Sequence, residues 1–273
     1  INFMDAHYPH EPSEEYDRWG GKKLKALQRE FEHQVWEFIG EERPWGERKA
    51  IEPLYDGAIY QMDTVVQRVV DTLKRSGELS DTLVVITADH GEGFGETSPI
   101  KRTARAVGHG NGTPHEVLLH VPLIVKYPSQ EKPKQFERVV SLTKFPEVVK
   151  QSVNGSADIQ GWESSDGRAI ASVEGTDPDM ADRAHEYLSD LSPYDQSSDI
   201  IYETEGRTVR KHVRWGDTLG TLLIRTADAA WTKPSRHDGA FSVIDSLSDA
   251  SVRKDASSIT DEVTERLRRL GYA

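Results

Sequence analysis

Two adjacent side chains, Asp89 and His90, stand where an apolar run ends and a glycine-rich stretch begins. The run is Thr82-Leu-Val-Val-Ile-Thr87, and the chain continues Ala-Asp-His-Gly-Glu-Gly-Phe-Gly-Glu96. A carboxylate oxygen beside an imidazole nitrogen suits a divalent cation. Taken alone, the pair has a plainer reading, with Asp89 capping a turn and His90 a hydrogen-bonded core histidine. The surroundings favour the cation. The run is short, β-branched and apolar on both faces, as a central strand of a parallel sheet is. Open α/β sheets bind ligands beyond the carboxyl ends of such strands, and the glycines at 91, 93 and 95 allow a sharp turn there.

Two further histidines occupy similar places. His109 lies in Gly108-His-Gly-Asn-Gly-Thr-Pro-His-Glu, ahead of an apolar strand expected at 121–127. His7 follows another apolar stretch in Ile1-Asn-Phe-Met-Asp-Ala-His-Tyr-Pro-His10.

Four segments in this order resemble the sulfatases of the alkaline phosphatase superfamily: Asp5-Ala-His-Tyr-Pro9, Tyr55-Asp-Gly-Ala-Ile-Tyr-Gln-Met-Asp63, residues 81–92, and His115-Glu116 with Val121-Pro-Leu-Ile124. Each is weak alone and their ordered combination is specific, over roughly residues 1–155. The resemblance implies an α/β fold, a three-layer alkaline-phosphatase-like sandwich of which this chain supplies the second half of the central sheet. It implies that Asp89 and His90 are metal ligands for a divalent cation, Ca2+ foremost, with Mn2+ or Zn2+ as alternatives. His7 would contact the transferred oxygens and protonate the leaving alcohol, a task suited to imidazole. His109 would bind substrate at the leaving-group oxygen, or ligate a second metal as in the superfamily's phosphatases.

The implied activity is hydrolysis of sulfate esters of small molecules or glycans. One departure keeps phosphodiester or phosphonate hydrolysis and phosphoglycerol transfer open: many sulfatases carry a lysine ahead of the His-Glu pair, and none stands between Arg102 and Val125. A non-catalytic relic is the remaining alternative. The family's nucleophile lies upstream in a Cys/Ser-x-Pro-Ser-Arg segment, together with acidic metal ligands. This chain has no cysteine and opens in mid-strand, so it is expected to be the C-terminal part of a longer protein, inactive by itself. Thr232-Lys-Pro-Ser-Arg236 imitates that segment but follows the Asp-His pair, and is read as coincidence.

The net charge of −12, from 34 basic and 46 acidic residues, argues against a nucleic-acid groove or an anionic lipid surface as partner. No apolar stretch approaches the roughly 18 residues of a membrane span. Without cysteine there are no disulfides, and the compartment stays open.

The elements expected to position the site begin with a helix over 22–39, apolar at Leu24, Leu27, Phe31, Val35 and Phe38. A longer helix over 54–75 carries a core stripe of Tyr55, Ile59, Met62, Val66, Val69 and Leu73. A strand at 139–142 and a helix at 145–153 with Pro146 in its first turn come next. The Gly-, Ser- and Asp-rich stretch 154–167 marks a boundary, giving a catalytic-domain part over 1–160 and a small subdomain over 161–273. The latter is read as antiparallel strands at 168–173, 208–215 and 221–225, a hairpin at 216–220, an acidic surface excursion at 177–199 and a closing helix at 263–272. His185, His212 and His237 lack metal-ligand spacing.

Overall fold

The computed structural model describes residues 1–156, 158–164, 166–206, 208–226, 229–230, 238–242 and 244–245. The nucleophile-like segment 232–236, His237 and the expected closing helix lie outside the described residues. Packing divides the chain into two units, Ile1–Ala240 and Phe241–Ala273, and all four residues expected at the site lie in the first.

The expected helix over 22–39 is interrupted. It forms α1 (Lys22–Gln28) and α2 (Trp36–Ile39), because the Glu37 carboxylate turns back to accept from the Glu32 and His33 amides at 2.6 and 2.7 Å. Those amides need no helical carbonyl partner, so the chain can bend between the two pieces. After α3 (Trp45–Ala50) comes α4 (Glu52–Ser76), which is 25 residues long and stopped by Gly77 in the left-handed conformation at φ 77°. Its stripe is not a continuous core. Only Leu54, Gly57 and Ala58 are buried, and Ile59 is 40% exposed, since the N-terminal end alone meets the cluster of Phe31, Phe38, Ile51 and Phe94.

Then come β1 (Val84–Thr87), β2 (Gly93–Thr97), β3 (Arg105–Gly108), α5 (Glu116–Leu119) and β4 (Leu123–Lys126). Here the expectation of a central strand in a parallel sheet is corrected. β1 pairs antiparallel with β4, Val84 opposite Lys126 and Thr87 opposite Leu123, in a sheet of two strands. Its residues are half-buried, and Thr87 is exposed. An apolar run reports coverage by neighbours, and it carries no information on the direction of the paired strand. β2 and β3 form a second antiparallel pair, bulged between Phe94 and Glu96, where the sequence reads as loop.

Residues 139–142 form no strand. Ser141 Oγ instead accepts from the Thr143 amide at 3.3 Å and starts a short 3-10 turn. α6 (Phe145–Val153) begins with its proline in the first turn as expected, and packs Val148 against Tyr127 and Trp162.

Beyond it β5 (Arg168–Val173), β6 (Ser198–Glu205), β7 (Thr208–Trp215), β8 (Thr218–Thr226) and β9 (Ala229–Ala230) run as an antiparallel meander in that order. The expected hairpin is present, with Trp215 opposite Thr218. The stretch 177–199 is no mere surface excursion. It contains α7 (Pro178–Tyr187) and places Ala184, Leu191 and Tyr194 in a core shared with Trp36, Val107, Ile200, Val213 and Trp215. The fold of the described residues is thus mixed α/β with antiparallel strands. Among them no helix is long and apolar enough to cross a membrane.

A buried charge joins the meander to the His-Glu segment. Lys211 of β7, 1% exposed, donates from Nζ to the Pro114 carbonyl at 2.9 Å and lies 3.7 Å from Glu116 Oε2. The Tyr202 hydroxyl donates to the other oxygen of Glu116 at 2.7 Å. Removing one partner of such a pair strands the other in low dielectric, so Lys211→Ala should cost about 3–5 kcal/mol in urea unfolding. Lys211→Met combined with Glu116→Gln should recover most of that loss; a double variant as unstable as the single one would show that the charge pair is not what holds the contact.

Candidate active site

Each of the three site histidines is fixed by an acceptor on Nδ1. His7 Nδ1 donates to the Tyr8 carbonyl at 2.7 Å, His90 Nδ1 to the Gly91 carbonyl at 2.9 Å, and His109 Nδ1 to Glu92 Oε2 at 3.0 Å. Carbonyls and carboxylates accept only, so the proton of each neutral ring sits on Nδ1. Every ring then presents Nε2 as its lone pair.

The structure brings the four predicted residues together as a row. The His90 and His109 rings stack with centroids 4.1 Å apart, and His7 meets His109 edge-on at 5.2 Å. Asp89 stands at the other end, its Oδ1 accepting from the His90 amide at 3.0 Å and lying 3.9 Å from His90 Nε2. Asp89 is 60% exposed at its side chain, and His90 and His109 are about half as open.

These positions result from local chain chemistry. Asp89 and His90 leave the end of β1, and the next residue must be glycine: a Cβ at position 91 would lie 1.9 Å from the Val117 carbonyl oxygen, while the Gly91 amide donates to the Leu118 carbonyl at 2.9 Å. That contact clamps the His90 turn onto α5. The β2–β3 pair sets His109 just after β3, opposite Glu92 just before β2.

Two participants escape sequence reasoning. Glu92 belongs to the Asp-His-Gly-Glu segment without a role there, and Arg48 of α3 carries no sequence signal at all. The Arg48 guanidinium, wholly buried, donates to Glu92 Oε1 at 2.7 Å, to the Gly93 carbonyl at 2.7 Å and to Gln34 Oε1 at 2.9 Å. Burial alone would raise the pKa of Glu92. The hydrogen bond from His109 and the charge of Arg48 outweigh it and hold the carboxyl below its ordinary range. Glu92 is therefore an anion that orients the His109 ring.

The donor chemistry fits a cation at Asp89 and His90. Two ligands bonded at about 2.0–2.4 Å to one ion stand roughly 3–4 Å apart, which matches the 3.9 Å between Asp89 Oδ1 and His90 Nε2. Among the described residues no group of three His, Asp or Glu side chains is arranged to hold a metal. His212, by contrast, is a satisfied core histidine between Thr221 Oγ1 at 3.0 Å and Glu203 Oε2 at 3.1 Å.

A family model described as Sulfatase matches residues 2–154, more than half of the chain. The Extracellular sulfatase SULF-1 homolog of Drosophila melanogaster is 32% identical over 82 residues, which are 30% of this chain and 7% of that protein. The chain thus spans a small fraction of the length of that relative.

Two imidazoles beside the site, His10 buried and His115 partly so, make folding acid-sensitive. His10, enclosed by Tyr8, Tyr55 and Phe94, finds no well-formed hydrogen bond for either ring nitrogen. Burial lowers its pKa to about 4, Arg48 adding to the effect and Glu92 opposing it. Burial also lowers His115 to about 4, with Lys211 contributing, and its Nδ1 is occupied in accepting from the Val117 amide at 3.2 Å. Between pH 6.5 and about 4 the unfolded chain binds protons on these rings that the folded one refuses. Stability therefore falls as pH drops through that window, by about 3 kcal/mol for each ring. Glu92, with its depressed pKa, adds a loss of the same sign at lower pH. Unfolding free energies measured from pH 7 to 4 should show this decline, and His10→Phe should remove roughly half of it; an unchanged slope would acquit His10.

Proposed function

The chain belongs to the sulfatase family, and we propose that its Asp89, His90, His7 and His109 are the cation-binding and histidine portion of a metal-dependent hydrolase of sulfate esters. The observation that carries this reading is the row of three imidazoles, each held through Nδ1 and presenting Nε2, ending at a carboxylate. Asp89 and His90 would hold the divalent cation, Ca2+ foremost and Mn2+ or Zn2+ as alternatives. Such an ion, when bound, supplies positive charge against the sulfuryl oxygens.

The residues of the chain have separable tasks. His7 is held by the Tyr8 carbonyl, and its imidazolium form carries a second proton on Nε2. That proton passes to the leaving alcohol oxygen, which returns the ring to its resting tautomer. His109, oriented by Glu92, contacts the same region of the ester and supports the developing charge. We assign no nucleophile among these residues, so we expect them to bind ester and cation without turnover. In this reading residues 1–160 are the catalytic-domain part that carries these side chains, and residues 161–273 a separate small subdomain. The absence of lysine between Arg102 and Val125 keeps phosphodiester or phosphonate hydrolysis, or phosphoglycerol transfer, as the second reading.

Calorimetric titration with Ca2+, Mn2+ and Zn2+ in turn should reveal one site, weakened at least tenfold by either Asp89→Ala or His90→Ala; a site untouched by both substitutions would place the cation elsewhere. In an active protein that carries these residues with the family's nucleophile segment, 4-nitrophenyl sulfate should be hydrolysed faster than 4-nitrophenyl phosphate or its diester. There His7→Ala should slow alkyl sulfates by about 10²–10⁴, the usual worth of a general acid, and 4-nitrophenyl sulfate far less. Equal losses on both esters would leave His7 only an oxyanion contact.

A further inference from the structure

Beside the histidine row runs a cavity of about 880 Å3, and one whole strand borders it. Ala169, Ile170, Ala171, Ser172 and Val173 of β5 all line it. Neighbouring residues of a strand point to opposite faces of the sheet, so a hollow over one face meets only every second residue. The inner strands obey that rule. Tyr202 of β6, Val209 of β7 and Ile224 of β8 reach the cavity from a single face, the one that carries Ala169 and Ala171. In β5 both sets take part, so the cavity wraps round the edge of the sheet and lies along the main chain of that strand.

This edge is unpaired. Among the described residues β5 pairs with β6 alone, and no backbone hydrogen bond joins 168–173 to any other segment. In an antiparallel pair the amide and carbonyl of alternate residues point away from the partner strand, so part of the polar main chain of β5 faces the slot. Natural edges are guarded against stray pairing by charges, proline or a bulge. Between Ala169 and Val173 there is neither charge nor proline, and the pairing with β6 is regular throughout.

Across the slot stand the consecutive residues 136–143. The Val139 amide donates to Thr204 Oγ1 at 3.0 Å and the Ser141 amide to the Trp162 carbonyl at 3.1 Å, which fixes this wall to the fold. A second copy of the chain would hold its own β5 behind the same wall, and two recessed edges do not meet. A single extended chain can enter. Leu123, Val140 and Leu142 offer it apolar surface, and Glu137, Arg138 and Ser172 offer polar surface.

We propose that an extended polypeptide segment of alternating apolar and polar residues, free of proline, adds to β5 as a further strand of the meander. Its main chain supplies the hydrogen bonds, and the two kinds of wall receive its alternating side chains. The C-terminal end of β5 abuts the loop that carries His109, since a Cβ on Gly112 would stand 3.1 Å from the Glu174 carbonyl oxygen. The bound segment thus ends beside the histidine row, yet its binding needs nothing of the ester chemistry.

A short peptide of alternating valine and threonine, flanked by lysines and labelled with fluorescein, tests this when titrated with the whole chain by fluorescence polarisation. The same peptide methylated on every backbone nitrogen keeps the side chains and loses the donors. The unmethylated peptide should bind at least tenfold more tightly, and in amide exchange followed by NMR it should protect alternate residues of 169–173. Ile170→Pro and Ala171→Pro probe the edge itself, because of two neighbouring residues one bonds to β6 and the other faces the slot. One variant should be destabilised; the other should stay folded by circular dichroism and bind the peptide at least tenfold more weakly. Equal affinity for the two peptides, unchanged polarisation, or protection falling outside β5 overturns the proposal. So does slow exchange at every residue of 169–173 before peptide is added, which would show the chain covering its own edge, and so does protection that rises with protein concentration alone, which would give the edge to a second copy. Should neither proline variant fold, the two peptides and the exchange pattern still decide.

Discussion

The Arg48–Glu92 pair is the joint on which the site depends. Both side chains are removed from water, and a pair so placed repays its desolvation only when every remaining donor and acceptor is used. Here that condition is met by other parts of the fold. Arg48 spends its other donors on the Gly93 carbonyl and on Gln34, and Glu92 spends its second oxygen on His109. The bent segment after α1, the helix α3, the first residue of β2 and the loop after β3 are thus held by one guanidinium. Phe94 stacks beneath it, with the guanidinium carbon 4.8 Å from the ring centre, which ties the polar joint to the apolar cluster around Leu54.

Electrostatically the joint sorts the neighbouring histidines. His109 faces an anion. His10, close to His7 in the chain and within the influence of the same Arg48 and Glu92, is shut among aromatic rings and kept neutral. One imidazole thereby keeps part of its ring open to solvent and the other is packing material, although the two are the same residue type.

That contrast explains what the sequence discloses. Asp89 and His90 are legible because an apolar run, a strand end and three glycines converge on them. His7 and His109 are legible only through the combination of segments, and the structure places both in the row. Arg48 is invisible: Trp45-Gly-Glu-Arg-Lys49 reads like any solvated helix face, and its partner lies 44 residues away. Lys211, 97 residues from the Pro114 carbonyl it serves, is hidden for the same reason. Strand direction fails differently. The runs at β1 and β4 look alike whether paired parallel or antiparallel, and the 35 residues from Ala88 to Pro122 that reverse the chain contain a hairpin built largely of glycine-rich sequence. α7 is masked by its acidic outer face, its inward alanines being too small to register as a stripe.

Gly91 separates two meanings that a sequence motif fuses. It stands next to Asp89 and His90, so it reads as part of the chemistry, yet its constraint is the Val117 carbonyl, which leaves no room for a methyl group. In a saturation library sorted once for folded protein and once for ligand capture, position 91 would be empty of alternatives in both pools. Asp89, whose side chain is 60% exposed, meets no such steric demand. The glycine of the motif thus records how closely a helix approaches a strand end, and packing fixes it there whatever its neighbours do.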